Sequence, residues 1–141
     1  MNTAILAPAA VLVAWSLIVL LWLGRARFAA MAAAGIDVRR RPPGGRGQDL
    51  EAHLPPSVMW KSHNYTHLME QPTLFYALVM ILALAGAARL DVVLAWSYVA
   101  LRVVHSVYQA TVNRVATRFA IFSVATACLG ALAVRALIVT F

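Results

Sequence analysis

Four long apolar stretches, separated by short polar ones, run along the chain. The first covers residues 5–23 and the second 73–88, whose helix is expected to start earlier, near Ser62. The third covers residues 92–112, and the fourth covers 119–139, interrupted by Arg135. A helix that crosses a bilayer needs ~20 mainly apolar residues. Inside the membrane every backbone polar group has to be satisfied within the protein, and spans of this length do so as helices. The pattern therefore predicts an all-α integral membrane four-helix bundle forming a single domain over 1–141. Its helices fall at about 5–24, 62–88, 92–113 and 118–139, with a loop over 25–61. The break at Arg89-Leu90-Asp91 is so short that the second and third helices must be antiparallel neighbours.

Composition supports this reading. Of 141 residues, 62% are hydrophobic and 12% are charged, too apolar for a soluble domain of this size. The formal net charge of +7 would suggest a nucleic-acid partner in a soluble protein, but its distribution argues otherwise. Arg25, Arg27, Arg39, Arg40, Arg41, Arg46 and Lys61 lie in the first connection, and Arg114 and Arg118 in the third. Only Arg89 and Arg135 lie at the opposite end. The positive-inside rule then predicts a multi-pass cell-membrane protein with both termini non-cytoplasmic. The abundance of Arg and Ala suggests a GC-rich bacterial genome, which with the four spans makes the expected location a bacterial inner membrane. The first span lacks a basic leader and is flanked by Arg25 and Arg27, so it reads as a retained helix rather than a signal peptide. Residues 39–47, rich in Pro and Gly, are expected not to be helical. They read as a mobile cytoplasmic loop attracted to anionic headgroups, with gating over a site as the alternative reading. Cys128 cannot form an intrachain disulfide and reads as a packed thiol.

Ionisable residues inside a bilayer are costly and mark function or pairing. His63, His67 and Glu70 are spaced i, i+4, i+7 on the second helix; Arg102, His105 and Gln109 are spaced i, i+3, i+7 on the third. Each set shares one helix face. At 1.5 Å per residue, Glu70 and His105 both lie ~12 Å, and Arg102 ~17 Å, from the same membrane surface. Glu70 is thus expected within reach of Arg102 and His105, as part of a functional site or as an ion pair that fixes helix register. His63, His67, Glu70 and His105 are also metal-ligand types, and His-x-x-x-His puts two imidazoles on one face, but no thiolate or second carboxylate accompanies them, and no metal is predicted. The four tryptophans and Tyr98 read as interface or packing aromatics. Tyr65, Tyr76 and Tyr108 lie near enough to the polar helices to contact a ligand.

Three stretches resemble the MAPEG family, the membrane-associated proteins in eicosanoid and glutathione metabolism. His67-Leu68-Met69-Glu70-Gln71-Pro72-Thr73-Leu74-Phe75-Tyr76 resembles the family's Asn-x-x-Glu segment with its following Pro and Phe. Arg102-Val103-Val104-His105-Ser106-Val107 is similar to the Arg-x-x-His-Thr segment of microsomal prostaglandin E synthase and microsomal glutathione transferase. Arg118 matches the basic residue that opens the family's fourth helix. The likeness covers roughly residues 57–138. It implies a homotrimer with a glutathione site between subunits near the cytoplasmic face, and a lipophilic small-molecule substrate arriving from the membrane lipid.

By position, the resemblance assigns Glu70 to the glutathione backbone and Arg102 and His105 to ordering the polar pocket. Arg118 would stabilise the thiolate, and His67, His63, Gln109, Tyr108 and Arg114 are further cosubstrate contacts. His67 stands where the family usually has Asn, His63 where an Arg often clamps a carboxylate, and Gln109 in place of a Tyr. The expected function is a membrane-bound transferase or peroxidase that uses glutathione, or a related thiol, on lipophilic electrophiles. The alternative is a MAPEG-fold module without catalysis that binds lipid or a protein partner.

Overall fold

Each apolar stretch becomes one helix in the computed structural model, which describes residues 3–141. A 3-10 turn at Thr3–Ile5 leads into α1, Leu6–Ala33; α2 is Pro56–Ala85, α3 is Arg89–Thr111 and α4 is Val115–Thr140. Among the described residues there is no strand. All four helices are long and apolar enough to cross a membrane, and the chain is an all-α membrane four-helix bundle.

The helix ends differ from those read off hydrophobicity, and each difference has a local cause. α1 continues past Arg25 and Arg27 to Ala33. Its last turns are rich in alanine, the strongest helix former. It stops where Gly35 takes the left-handed conformation (φ +67°) and Ile36 N–H donates to the Met31 carbonyl, a glycine C-cap. α2 starts at Pro56, six residues before Ser62, because a proline suits the first turn, where its missing N–H is not needed. It ends at Ala85, three residues before 88, capped by Gly86 in the left-handed conformation (φ +99°). Residues 39–47 hold no α-helix, yet Arg39 and Arg40 belong to a 3-10 turn, Val38–Arg40, and Gly47 opens another, Gly47–Leu50. That corrects the expectation of no helical structure there. A single turn needs few hydrogen bonds, and the Asp37 side chain accepts one from Arg39 N–H at 2.9 Å.

The core is built from one stripe of each helix. Ile5, Leu12 and Val19 meet Leu68, Phe75, Val79 and Leu82, with Ala95, Tyr98 and Val99 of α3 and Ala125, Leu129 and Leu132 of α4. Small residues at these crossings let helices approach closely without a hydrophobic drive from lipid. Phe75 and Tyr98 stack with centroids 4.6 Å apart. A second cluster, Met31, Leu50, Leu54 and Met59, fastens the α1–α2 connection to the ends of both helices. Large apolar side chains such as Leu17, Leu21, Leu84 and Ile138 face outward, as a lipid-facing surface requires.

Two polar features tie helices together. Asp91 is fully buried and accepts from Arg135 Nε at 2.8 Å and from Ala88 N–H at 2.8 Å, which joins α3 to α4 and caps α3. Toward the other end, the Ser106 hydroxyl accepts from Asn64 Nδ2 (2.8 Å) and from Trp15 Nε1 (3.0 Å), linking α1, α2 and α3.

Candidate functional site

On α2 the residues turned to the core are Asn64, Leu68, Phe75 and Val79. His63, His67 and Glu70 lie one helical position round from that stripe, so they flank the core rather than enter it. They edge an open cavity of about 580 Å³ beside the bundle. His105 and Gln109 of α3, and Arg118, Phe119 and Phe122 of α4, complete its walls, with Ser62, Thr66, Val115 and, from the α1–α2 connection, Gln48.

Six of the residues singled out from the sequence thus share one cavity: His63, His67, Glu70, His105, Gln109 and Arg118. Three do not reach it. Arg114 is exposed at the N-cap of α4, and Tyr108 is half-buried. Arg102 is fully buried behind the wall. Of the other tyrosines weighed as contacts, Tyr65 and Tyr76 pack against the core.

Glu70 shares the cavity with His105 and its charge reaches Arg102, as expected, but the two make no ion pair. Glu70 is exposed at the cavity, with no ion pair among the described residues. Arg102 instead donates from Nη2 to the His67 carbonyl at 2.9 Å and lies 5.8 Å from the Phe122 ring centre. The reason is rotational: the polar face of α3 points into the bundle, whereas that of α2 points past it.

Several contacts set the geometry of the cavity. Arg118 Nη1 donates to Asn113 Oδ1 at 2.6 Å. Asn113 has φ +55°, a left-handed conformation that asparagine tolerates better than most residues. It therefore both turns the chain from α3 to α4 and orients the guanidinium. His63 Nε2 lies 2.7 Å from Glu51 Oε1, which ties the α1–α2 connection down beside the cavity. The His67 ring centre is 5.0 Å from those of both His105 and Phe122. His67 Nδ1, His105 Nδ1 and Gln109 Oε1 are buried with no hydrogen-bond partner among the described residues.

The cavity thus combines a permanent cation, a carboxylate not engaged in an ion pair, and imidazole and amide side chains. A guanidinium stabilises an anion and a carboxylate takes an ammonium group. Among the described residues no three His, Cys, Asp or Glu side chains are gathered to hold a metal ion. Phe122 follows Arg118 by four residues and shares its face, so helical spacing alone points to it. Gln48 carries no such signal, because it arrives through the long connection.

A family model describing the MAPEG family matches residues 5–138. No curated protein and no solved structure matches the chain. The family model covers every residue of the cavity and, of the four helices, all but the last turn of α4, and the chain belongs to the MAPEG family.

Proposed function

We propose that this protein is a membrane-bound transferase or peroxidase that presents glutathione, or a related thiol, to lipophilic electrophiles. One observation carries the reading: Arg118 and Glu70 share an open cavity whose rim includes the outward-facing Phe119. The cavity's volume lies in the range of about 300–1,000 Å³ usual for small-molecule sites. Glu70 supplies the partner for the thiol substrate's ammonium group. Other polar side chains that line the cavity, Ser62, Thr66 and Gln109, supply contacts for its amide groups. Two other basic side chains have different tasks. His63 is held by Glu51, and Lys61 donates to the Ser57 carbonyl and lies over Trp22. Arg118 is left as the cation for the reacting sulfur.

A nearby fixed cation lowers a thiol's pKa and raises the thiolate fraction at neutral pH. In the transferase reaction the thiolate lone pair forms a C–S bond with the electrophilic carbon. The leaving group departs with its bonding electrons. Arg102 and His105 keep the cavity in shape behind the sulfur, and Phe119 meets the lipophilic substrate as it leaves the bilayer. The assembly consistent with the family is a homotrimer, in which a neighbouring subunit covers the open side of the cavity. The basic end of the bundle faces the cytoplasm in a bacterial inner membrane.

The test is thiol binding and turnover by the purified protein in detergent, with Arg118→Ala and Glu70→Gln alongside. Saturable glutathione binding that weakens in Glu70→Gln, with turnover lost in Arg118→Ala, is expected. Absence of saturable binding, or turnover indifferent to both changes, would overturn the reading and leave a bundle that binds lipid or protein without catalysis.

A further inference from the structure

A second cavity, of about 340 Å³, lies where the end of α1 meets the 38–50 segment. Three guanidinium-bearing residues line it: Arg27 from α1, and Arg41 and Arg46 from the segment. No carboxylate lines it among the described residues. The acidic side chains nearby are engaged elsewhere, Asp49 with the Arg46 backbone N–H and Asp37 with Arg39 N–H and Arg40. The segment is shaped around Arg27. A Cβ at Gly47 would sit 2.7 Å from Arg27 Nη1, so a side chain there would push the guanidinium aside. Arg27 Nη2 donates to Ser62 Oγ at 2.7 Å, and its Nε is buried with no partner among the described residues.

The cavity also has an apolar side, with Phe28 and Leu50 in its wall. Phe28 is exposed and continues a column of exposed side chains on α1, Leu17 and Leu21. Their spacing of 4 and 7 residues puts all three on one face. Arg27 lies 21 residues after Leu6, ~32 Å along the helix, about one hydrocarbon thickness from its start. Its guanidinium therefore sits at headgroup level, with the Leu17–Leu21–Phe28 column running down alongside the acyl chains.

We propose that this cavity is a binding site for the phosphate of an anionic phospholipid, with an acyl chain on the Phe28 column. Arg41 and Arg46 close on the phosphate from the segment side and Arg27 from the helix side. This goes beyond diffuse attraction of a basic loop to an anionic surface, because only some of the arginines in that loop line the cavity. Arg39 and Arg40 do not.

That distinction supplies the test. Binding of phosphatidylglycerol to the purified protein in detergent micelles is measured by native mass spectrometry. Phosphatidylcholine and inorganic phosphate are run in parallel. Arg41→Gln with Arg46→Gln should weaken phosphatidylglycerol binding by roughly ten-fold or more. Arg39→Gln with Arg40→Gln removes the same charge from the same loop and should change it far less. Gly47→Ala, which displaces the Arg27 guanidinium while leaving net charge intact, should also weaken it. Equal losses in the two arginine pairs would overturn the proposal in favour of diffuse attraction. Phosphatidylcholine binding as tight as phosphatidylglycerol would overturn it too, as would inorganic phosphate displacing the lipid at equal concentration.

Discussion

Arg118 shows how much a single residue can carry and how much of that is visible beforehand. Its position at the start of the fourth apolar stretch is plain in the sequence. Its restraint by Asn113 is not, because nothing in the residue types says that Asn113 adopts φ +55° and aims Oδ1 back at the guanidinium. If Arg118 stabilises the thiolate, Arg118→Ala should lower turnover by roughly a hundred-fold, the effect of removing one well-placed stabiliser of developing anionic charge. The bound thiol's apparent pKa, followed by thiolate absorbance, should rise. Arg118→Lys keeps the charge and loses the fork geometry, so it should fall between. Asn113→Gly keeps the left-handed turn without steric cost and removes only the hydrogen bond. A loss worth about 1 kcal/mol should appear as roughly five-fold lower turnover with thermal stability unchanged. A stability loss with unchanged turnover would make Asn113 a turn residue and nothing more. Glu70 teaches the converse. Its place among His63 and His67 was legible from spacing, but its environment was not. Helical periodicity groups residues by face, and it leaves the rotation of that face against the next helix undetermined. That rotation put Arg102 inside the bundle and Glu70 at the open cavity.

At the scale of elements, hydrophobicity located the spans well and their ends less well, since it reports where the bilayer ends and not where the helix does. α1 runs on for ten residues past 23 because alanines carry it and nothing breaks it before Gly35. The signals for the true ends, Pro56, Gly35 and Gly86, were present as capping residues. The antiparallel pairing of α2 and α3 was legible from their short connection, but side-chain pairing between other elements was not. Arg135 read as an isolated charge in the fourth span, whereas it holds the buried Asp91 carboxylate at the start of α3. Taking one partner from a buried charge pair strands the other. Arg135→Ala should therefore lower the unfolding temperature in detergent by several degrees. The combined Arg135→Ala and Asp91→Asn change should recover part of that loss. A second contact between elements is weaker. Glu51 and His63 are each about half exposed, and such pairs contribute about 0.2–1 kcal/mol. Glu51→Ala should speed amide exchange across residues 47–54 by no more than about five-fold, with protection in α1–α4 unchanged.

For the whole molecule, the count of crossings and the placement of charge act together. Four spans put both termini on one side, and nine basic residues lie toward the connections at the other end: Arg25, Arg27, Arg39, Arg40, Arg41, Arg46, Lys61, Arg114 and Arg118. Of the two basic residues at the terminal end, Arg135 is already neutralised by Asp91, which leaves Arg89 and sharpens the asymmetry. Because Lys and Arg near the span ends govern orientation, a cysteine appended after Phe141 should react with a membrane-impermeant maleimide in intact bacterial cells. One introduced at Arg46 should react only after the membrane is opened. Native Cys128 is half-buried in the bundle and packed against its core, so its replacement by Ala gives a clean background for both. Reversal of the pattern would place the thiol cavity on the outside, away from the cytoplasmic glutathione pool. It would count against the proposed chemistry as well as against the topology, because a cosubstrate that is absent from the compartment cannot be the natural one. The same preparation tests assembly. Crosslinking in mild detergent should stop at three chains, and a ladder ending at two would leave the open side of the cavity without the neighbour assigned to it.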